Sequence, residues 1–547
     1  MKNICCLLTL GLLLGGGISL QAEESADDQT VLEIKDAWYY INGEKTFINA
    51  LGYEIGARPG QHPKEPRVLE LTRMVNDLQL IKEAGFNAIR IWADLSEEEV
   101  KVVQASGLYL IFGIEINQYA DFSDPEFIEE TVYMVDSIVS YTRNYDCIIS
   151  YLIMNEPMPQ HIYDVGAQAT YDLWMTIKTL IHEKHPGIPV SISGNSAITE
   201  FLDMNMFDLY SYNAYDYGEG INYTHGYANA NRFLSEMNGD KKPLVLTEFG
   251  KSVSRLGWGE YGGNTLTEQM NALPEYYRNI LDAGASGACA FYYADGWWKG
   301  SRPEVHDDTP EEWFGYWGYS DLEDTIGYPR PVWYALKEYN KALIASPKNQ
   351  CFYQNEVPID IHPQKEVSSL RVIYHDKLIY ESNEFSGCHF ADTLYFRDEA
   401  LTDRELVFEF YDPEGNLLKY EIITILTGAE EITWPSLTVD IKQDDLNEAD
   451  SLNTTFRVSK DTLFTFESEL KYVFQPHLNW QPGSSEQVDL DPSLTKQSHK
   501  VSFKIPNESI VVGAYAGIVI RYGKFRKIIY DQELIYRGDW ADPLRIK

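Results

Sequence analysis

Residues 147–157 read CIISYLIMNEP. From Ile149 to Met154 every position but Ser150 is apolar or aromatic, and the chain then turns polar at Asn155-Glu156 and stops at Pro157. An apolar run of this length reads as a strand buried on both faces. Such a strand ends on an amide and a carboxylate for a reason only if other strands bring polar groups to the same edge. The run does recur. TFINALGY (46–53), AIRIWA (88–93), LYLIFGIEI (108–116), PVSIS (189–193), FDLYSYNAY (207–215), PLVLTEF (243–249) and GACAFYY (287–293) bring the count to eight. Segments of helical period, such as LTRMVNDLQLIKEAG (71–85) and TYDLWMTIKTLIHEK (170–184), lie between most of them.

Alternation of buried strands with helices predicts a parallel sheet covered on its outer face. Eight units predict a closed (β/α)8 TIM barrel. A doubly wound nucleotide-binding sheet would place a GxGxxG turn after its first strand, and LGYEIGARPG (51–60) lacks that spacing. Upstream, Asn42-Gly43 marks a hairpin turn, and the hairpin is expected to plug the barrel floor. Beyond about residue 347 helical period gives way to alternating strands separated by turns such as Asp412-Pro413-Glu414-Gly415-Asn416. The fold expected is α/β: a TIM barrel followed by two all-β, Ig-like sandwich domains. The expected boundaries are a signal peptide over 1–22, the catalytic barrel over 36–346, and sandwiches over 350–433 and 434–547.

The amino terminus, MKNICCLLTLGLLLGGGISLQA, has one Lys, an apolar run and a small residue before an acidic start, the pattern of a signal peptide. A secreted protein, periplasmic or extracellular, is expected, with no membrane span downstream. The formal net charge of −38 argues against nucleic acid or an anionic membrane as partner. Oligomeric state is unreadable. Four cysteines lie beyond the leader, with no CxxC and no zinc spacing. Cys147 and Cys289 sit beside apolar runs and read as buried thiols, while a Cys351–Cys388 disulfide stays open. The scattered His and the absence of HExxH predict chemistry without metal or cofactor. The acidic run 440–450 lacks the glycine of a calcium loop and reads as solvated surface.

In barrels of this kind the chemistry sits at the C-terminal strand ends. There the second strand offers Arg90, Trp92 and Asp94, the third Glu115 and Asn117, and the fourth Asn155-Glu156. The sixth offers Asn213 and Tyr215, the seventh Glu248, and the eighth leads to Trp297 and Trp298. Two glutamates facing each other across one mouth are the machinery for breaking a glycosidic bond: one protonated to release the leaving oxygen, one ionised to attack the sugar carbon. A spacing of about 5–5.5 Å between them would mean retention through a covalent intermediate. Trp297 and Trp298, in the loop after strand eight, are candidate platforms for sugar rings.

RIW on strand two, MNEP on four, YNAY on six and LTEFG on seven resemble the clan A retaining glycoside hydrolases over roughly residues 40–343. YNAY and PRPVWYALKEY (329–339) resemble the family 2 barrel in particular, and family 5 is similar. The resemblance implies that Glu156 is the acid/base and Glu248 the nucleophile. It implies that Asn155 holds the sugar 2-hydroxyl and that Arg90 and Tyr215 hydrogen-bond the nucleophile. Phe291 stands where the resemblance would place a Trp. The expected function is hydrolysis of β-linked poly- or oligosaccharides, neutral β-glucan favoured, by double displacement. The alternatives are a transglycosylase using the same residues and a non-catalytic glycan-binding protein.

Overall fold

The computed structural model describes residues 31–536 except 64–69, 195–205, 216–241, 386, 442–450, 460–462, 478–484, 492 and 505–510. The expected signal peptide and most of the acidic run 440–450 lie outside the described residues.

Eight parallel strands form the barrel: β1 (Ile48–Gly52), β2 (Ala88–Arg90), β3 (Tyr109–Gly113), β4 (Ile148–Asn155), β5 (Val190–Ser193), β6 (Tyr210–Asn213), β7 (Leu244–Phe249) and β8 (Gly287–Ala290). Each falls within one of the eight apolar runs. The ladder order is β5-β4-β3-β2-β1-β8-β7-β6, every adjacent pair parallel. At the seam, backbone bonds from Asp208 N to Val190 O (3.0 Å), Gly194 N to Ser211 O (3.2 Å) and Asn213 N to Gly194 O (2.7 Å) join β5 to β6.

The helices owe their ends to local chemistry. α1 (Leu71–Glu83) and α2 (Glu97–Ser106) follow β1 and β2. Ser96 and Glu99 form a reciprocal capping box at the start of α2, and Gly107, at φ +71°, ends it in a left-handed turn. α3 (Pro125–Thr142) begins on a proline behind the Asp124 cap. α4 (Pro159–Val165) and α5 (Ala167–Lys184) follow β4, α6 (Leu266–Asp282) follows β7, and α7 (Pro331–Tyr339) completes the described outer layer.

Inside the barrel the floor is apolar. Small residues on the strands, Ala50, Ala88 and Cys289, make room for Tyr39 and Ile41 from the hairpin strands Trp38–Ile41 and Glu44–Thr46. The Tyr39 hydroxyl finds Ser150 as its partner, as a buried phenol requires. The hairpin thus closes the N-terminal end, and the polar interior lies at the opposite end.

The C-terminal region is all-β. One core unites the sheet Ala342–Ser346/Glu356–Pro363/Phe390–Tyr395 with the five-stranded sheet built around Thr402–Tyr411 and Leu417–Thr427. Gly415, at φ +84°, donates to Asp412 O within the turn that joins those last two strands. A second core joins the three strands starting at Ser436 to the four-stranded sheet ending at Phe525–Tyr536. Residues 342–346, expected to close the barrel unit, form an edge strand of the first β sheet with Leu343 and Ala345 in the barrel core and Ala342 and Ile344 in the β core, so the connection is continuous with both. Arg278 of α6 donates to Ile344 O (2.9 Å), and Lys419 donates to Ala342 O (2.6 Å). The barrel and this β unit are packed together. All four described cysteines are free thiols, which answers the disulfide question left open by the sequence.

Candidate active site

The polar end of the barrel is organised by Asn213, 4% exposed at the end of β6. Its Oδ1 accepts from Arg90 Nη1 (3.2 Å), Ser193 Oγ (2.6 Å) and Thr247 Oγ1 (2.9 Å). With the oxygen fixed inward, Nδ2 donates to Glu156 Oε1 (2.9 Å) and Asn155 Oδ1 (3.3 Å). A single amide therefore ties β2, β4, β5, β6 and β7 together.

Glu248, 6% exposed, accepts on both oxygens. Oε1 takes Arg90 Nη1 (2.9 Å) and Trp92 Nε1 (2.7 Å), and Oε2 takes the Tyr215 hydroxyl (2.7 Å). Arg90, 1% exposed, also donates from Nη2 to Asn155 Oδ1 (2.6 Å) and from Nη1 to Thr247 O. Gly52 is a requirement of this arrangement: a Cβ there would stand 2.5 Å from the Trp92 ring and push the indole off Glu248. Phe291 packs edge-on against both Trp92 and Tyr215 and so supports two of the three donors.

Glu156 is built differently. One described side chain, Asn213, donates to it. Its backbone is in the left-handed region at φ +45°, with its N–H donating to Ser193 O (2.6 Å), a conformation costly for a residue with a Cβ. Burial raises its pKa to about 7, assisted by the charges of Glu248 and Glu311; Asn213 and Arg90 oppose the shift. Near neutral pH the mouth therefore holds one carboxyl that can give up a proton beside a carboxylate held by three donors.

The structure brings Arg90, Asn155, Glu156, Asn213, Tyr215 and Glu248 into this one network. Trp297 does not join them. It is 5% exposed and stacks on His306, which in turn stacks on Trp313, so the face expected to carry a sugar is covered by the loop's own packing. Trp298 donates Nε1 to Glu54 Oε2 (3.0 Å) and lies under Lys299 Nζ (4.9 Å). Glu115 is exposed at the rim. The sequence reading missed Glu54, Tyr261, Lys299 and Glu311. The charges of Glu156, Glu311 and Glu248 all bear on Tyr261, and those of Glu54, Glu311, Glu248 and Glu156 on Lys299. Glu54 directly follows the first apolar run, 46–53, and was findable; Lys299 and Glu311 sit in a long loop without period and were not.

The C-terminal rim of the parallel barrel thus carries a pair of glutamates, Glu248 buried and Glu156 half-buried. The glycoside hydrolase 72 family model, described as glucanosyltransferase, matches residues 21–293. A β-galactosidase of Vibrio cholerae serotype O1 is 23% identical over 202 residues, 34% of this chain and 18% of that protein. One from Leuconostoc mesenteroides is 23% identical over 238 residues, 41% of this chain and 20% of that protein. The chain thus spans a fifth or less of these two relatives. A β-glucuronidase structure from Parabacteroides merdae superposes with a TM-score of 0.44 at 12% identity, covering 92% of this chain and 64% of that one. The match to the family model and the similarity to these relatives fall on a chain whose strand order is that of a parallel eight-stranded barrel, and they support a barrel of the glycoside hydrolase kind.

Proposed function

We propose that the protein is a secreted retaining β-glycosidase acting on neutral β-linked glucans or their oligosaccharides. The observation that carries this reading is the asymmetry of the two carboxyls: Glu248 held by three donors, Glu156 held by one and protonated up to about pH 7. In the first step a Glu248 oxygen attacks the anomeric carbon while Glu156 gives its proton to the departing glycosidic oxygen. In the second, Glu156 takes a proton from an incoming hydroxyl, which displaces Glu248 and restores the anomeric configuration. Asn155, its Oδ1 engaged by Arg90 and Asn213, is left to offer Nδ2 to a sugar hydroxyl. The two C-terminal β units are read as Ig-like sandwiches, the first bracing the barrel.

The match to a glucanosyltransferase model favours a second reading, in which the incoming hydroxyl belongs to a sugar instead of water. Both use the same residues. Incubation with azide separates the roles: Glu248→Ala should yield the α-glycosyl azide and Glu156→Ala the β-glycosyl azide from an activated aryl β-glycoside. Inverted first products in NMR would overturn the retaining assignment. Product sizing on a β-glucan oligosaccharide decides between the readings, since products longer than the substrate mark transfer.

A further inference from the structure

Lys299 is a half-buried lysine whose ammonium is paired electrostatically with two carboxylates but makes no hydrogen bond among the described residues. It belongs to the short turn Trp297–Lys299 after β8. Its side chain is 17% exposed, and Nζ stands over the rings of Trp298 (4.9 Å), Phe291 (5.0 Å) and Tyr292 (5.5 Å). The nearest described carboxylate oxygens, Glu54 Oε1 and Glu311 Oε2, lie at 3.8 and 4.0 Å. Those distances are attractive electrostatically but too long for hydrogen bonds. An ammonium with three donors, held over aromatic rings between two carboxylates at ion-pair distance, has donors free for a further acceptor at the mouth.

The surroundings say where that acceptor would come from. Phe291, under Lys299, is the ring that backs Trp92 and Tyr215, two of the donors to Glu248. Lys299 therefore stands on the nucleophile's side of the mouth. Glu54 is fixed by the Trp298 indole, so one acceptor and one donor are held near each other on an aromatic floor. A pair of adjacent sugar hydroxyls, each both donor and acceptor, fills that gap. A sugar carboxylate would meet Glu54 and Glu311 as well as the lysine, two negative charges against one positive.

We infer that Lys299, with Glu54 and Glu311, forms the hydroxyl-reading wall of the sugar site beside Glu248, and that this wall selects uncharged sugars over uronic acids. The inference rests on the glycosidase reading above. Its test compares kcat/KM for p-nitrophenyl β-glycosides of neutral sugars, their monodeoxy analogues, and the matching uronides. Lys299→Met should cost roughly 10- to 150-fold on the neutral parent, the range for losing a hydrogen bond to a charged group. At least one deoxy analogue that is poor for the wild type should lose little more in the variant, the mark of direct contact. Glu311→Gln should raise the ratio of uronide to neutral turnover.

Additive losses for every deoxy analogue, or a wild type that prefers uronides, would overturn the inference. If the wild type cleaved none of these substrates, the glycosidase reading would fall separately. Calorimetry of β-glucan oligosaccharides with wild type and Lys299→Met would then decide the wall, equal affinity counting against it.

Discussion

Two clusters of buried charge among the described residues are balanced differently. Where α6 and α7 meet the first β unit, Arg278 and Lys419 face Asp282 and Glu421, two of each sign. Tyr339 adds a hydrogen bond to Glu421 (3.2 Å). Burial pushes the Glu421 carboxyl up, but Lys419 and Arg278 more than offset it and leave it below the ordinary value. At the mouth Glu54, Glu156, Glu248 and Glu311 face Arg90 and Lys299. With too few cations, burial and repulsion act together on Glu156 and it keeps a proton. In the balanced cluster the cations hold Glu421 down, although burial still raises the Asp282 carboxyl against the pull of Arg278; at the mouth burial and repulsion act in the same direction on Glu156.

The largest expected effect removes the carboxylate with three donors. Glu248→Gln should lower kcat by roughly 10⁴-fold or more. It should also lower the Glu156 midpoint in a ¹³C NMR titration, because one of the charges that raises it is gone. An unmoved midpoint would break the coupling on which the comparison depends. At the balanced cluster, Glu421→Ala should cost about 3–5 kcal/mol in urea unfolding, since it leaves two buried cations short of a partner. Turnover measured well below the melting temperature should stay near wild type.

Next comes pH. Activity that requires protonated Glu156 should fall about tenfold per unit above pH 7. Stability should follow the same group: its folded pKa, about 7, lies above the ordinary 4.5, so the folded state binds the extra proton between these values. That stabilisation is complete below about pH 4.5 and is lost as pH rises towards and through 7. Glu156→Gln should flatten this part of the melting-temperature profile, and an unchanged slope would assign it to other groups. The smallest effect is expected from Tyr215→Phe, about tenfold in kcat/KM for one lost bond to Glu248.

The strands were legible because burial on both faces leaves a continuous apolar run, and Glu156 and Glu248 were legible because each ends such a run. Asn213 was named as a site residue, but its five hydrogen bonds could not be read, since its partners come from four other strands. Trp297 was misplaced because its fate depends on His306 and Trp313, nine and sixteen positions further along a loop with no period. Glu54 and Lys299 meet across 245 positions of sequence, a contact made by closing the barrel. Local pattern reports what each strand buries; it does not report which loops converge above the strands.

The left-handed backbone at Glu156 has an evolutionary consequence. Asn and Gly occupy that region at lower cost than Glu, and neither would confine an acid near its charged neighbour. A library of this gene passed through repeated heat challenge, with no demand for turnover, should therefore drift at codon 156 towards Asn or Gly. Descendants of the barrel that keep only a binding role would be expected to carry the same replacement, recording in one position that catalysis was no longer under selection.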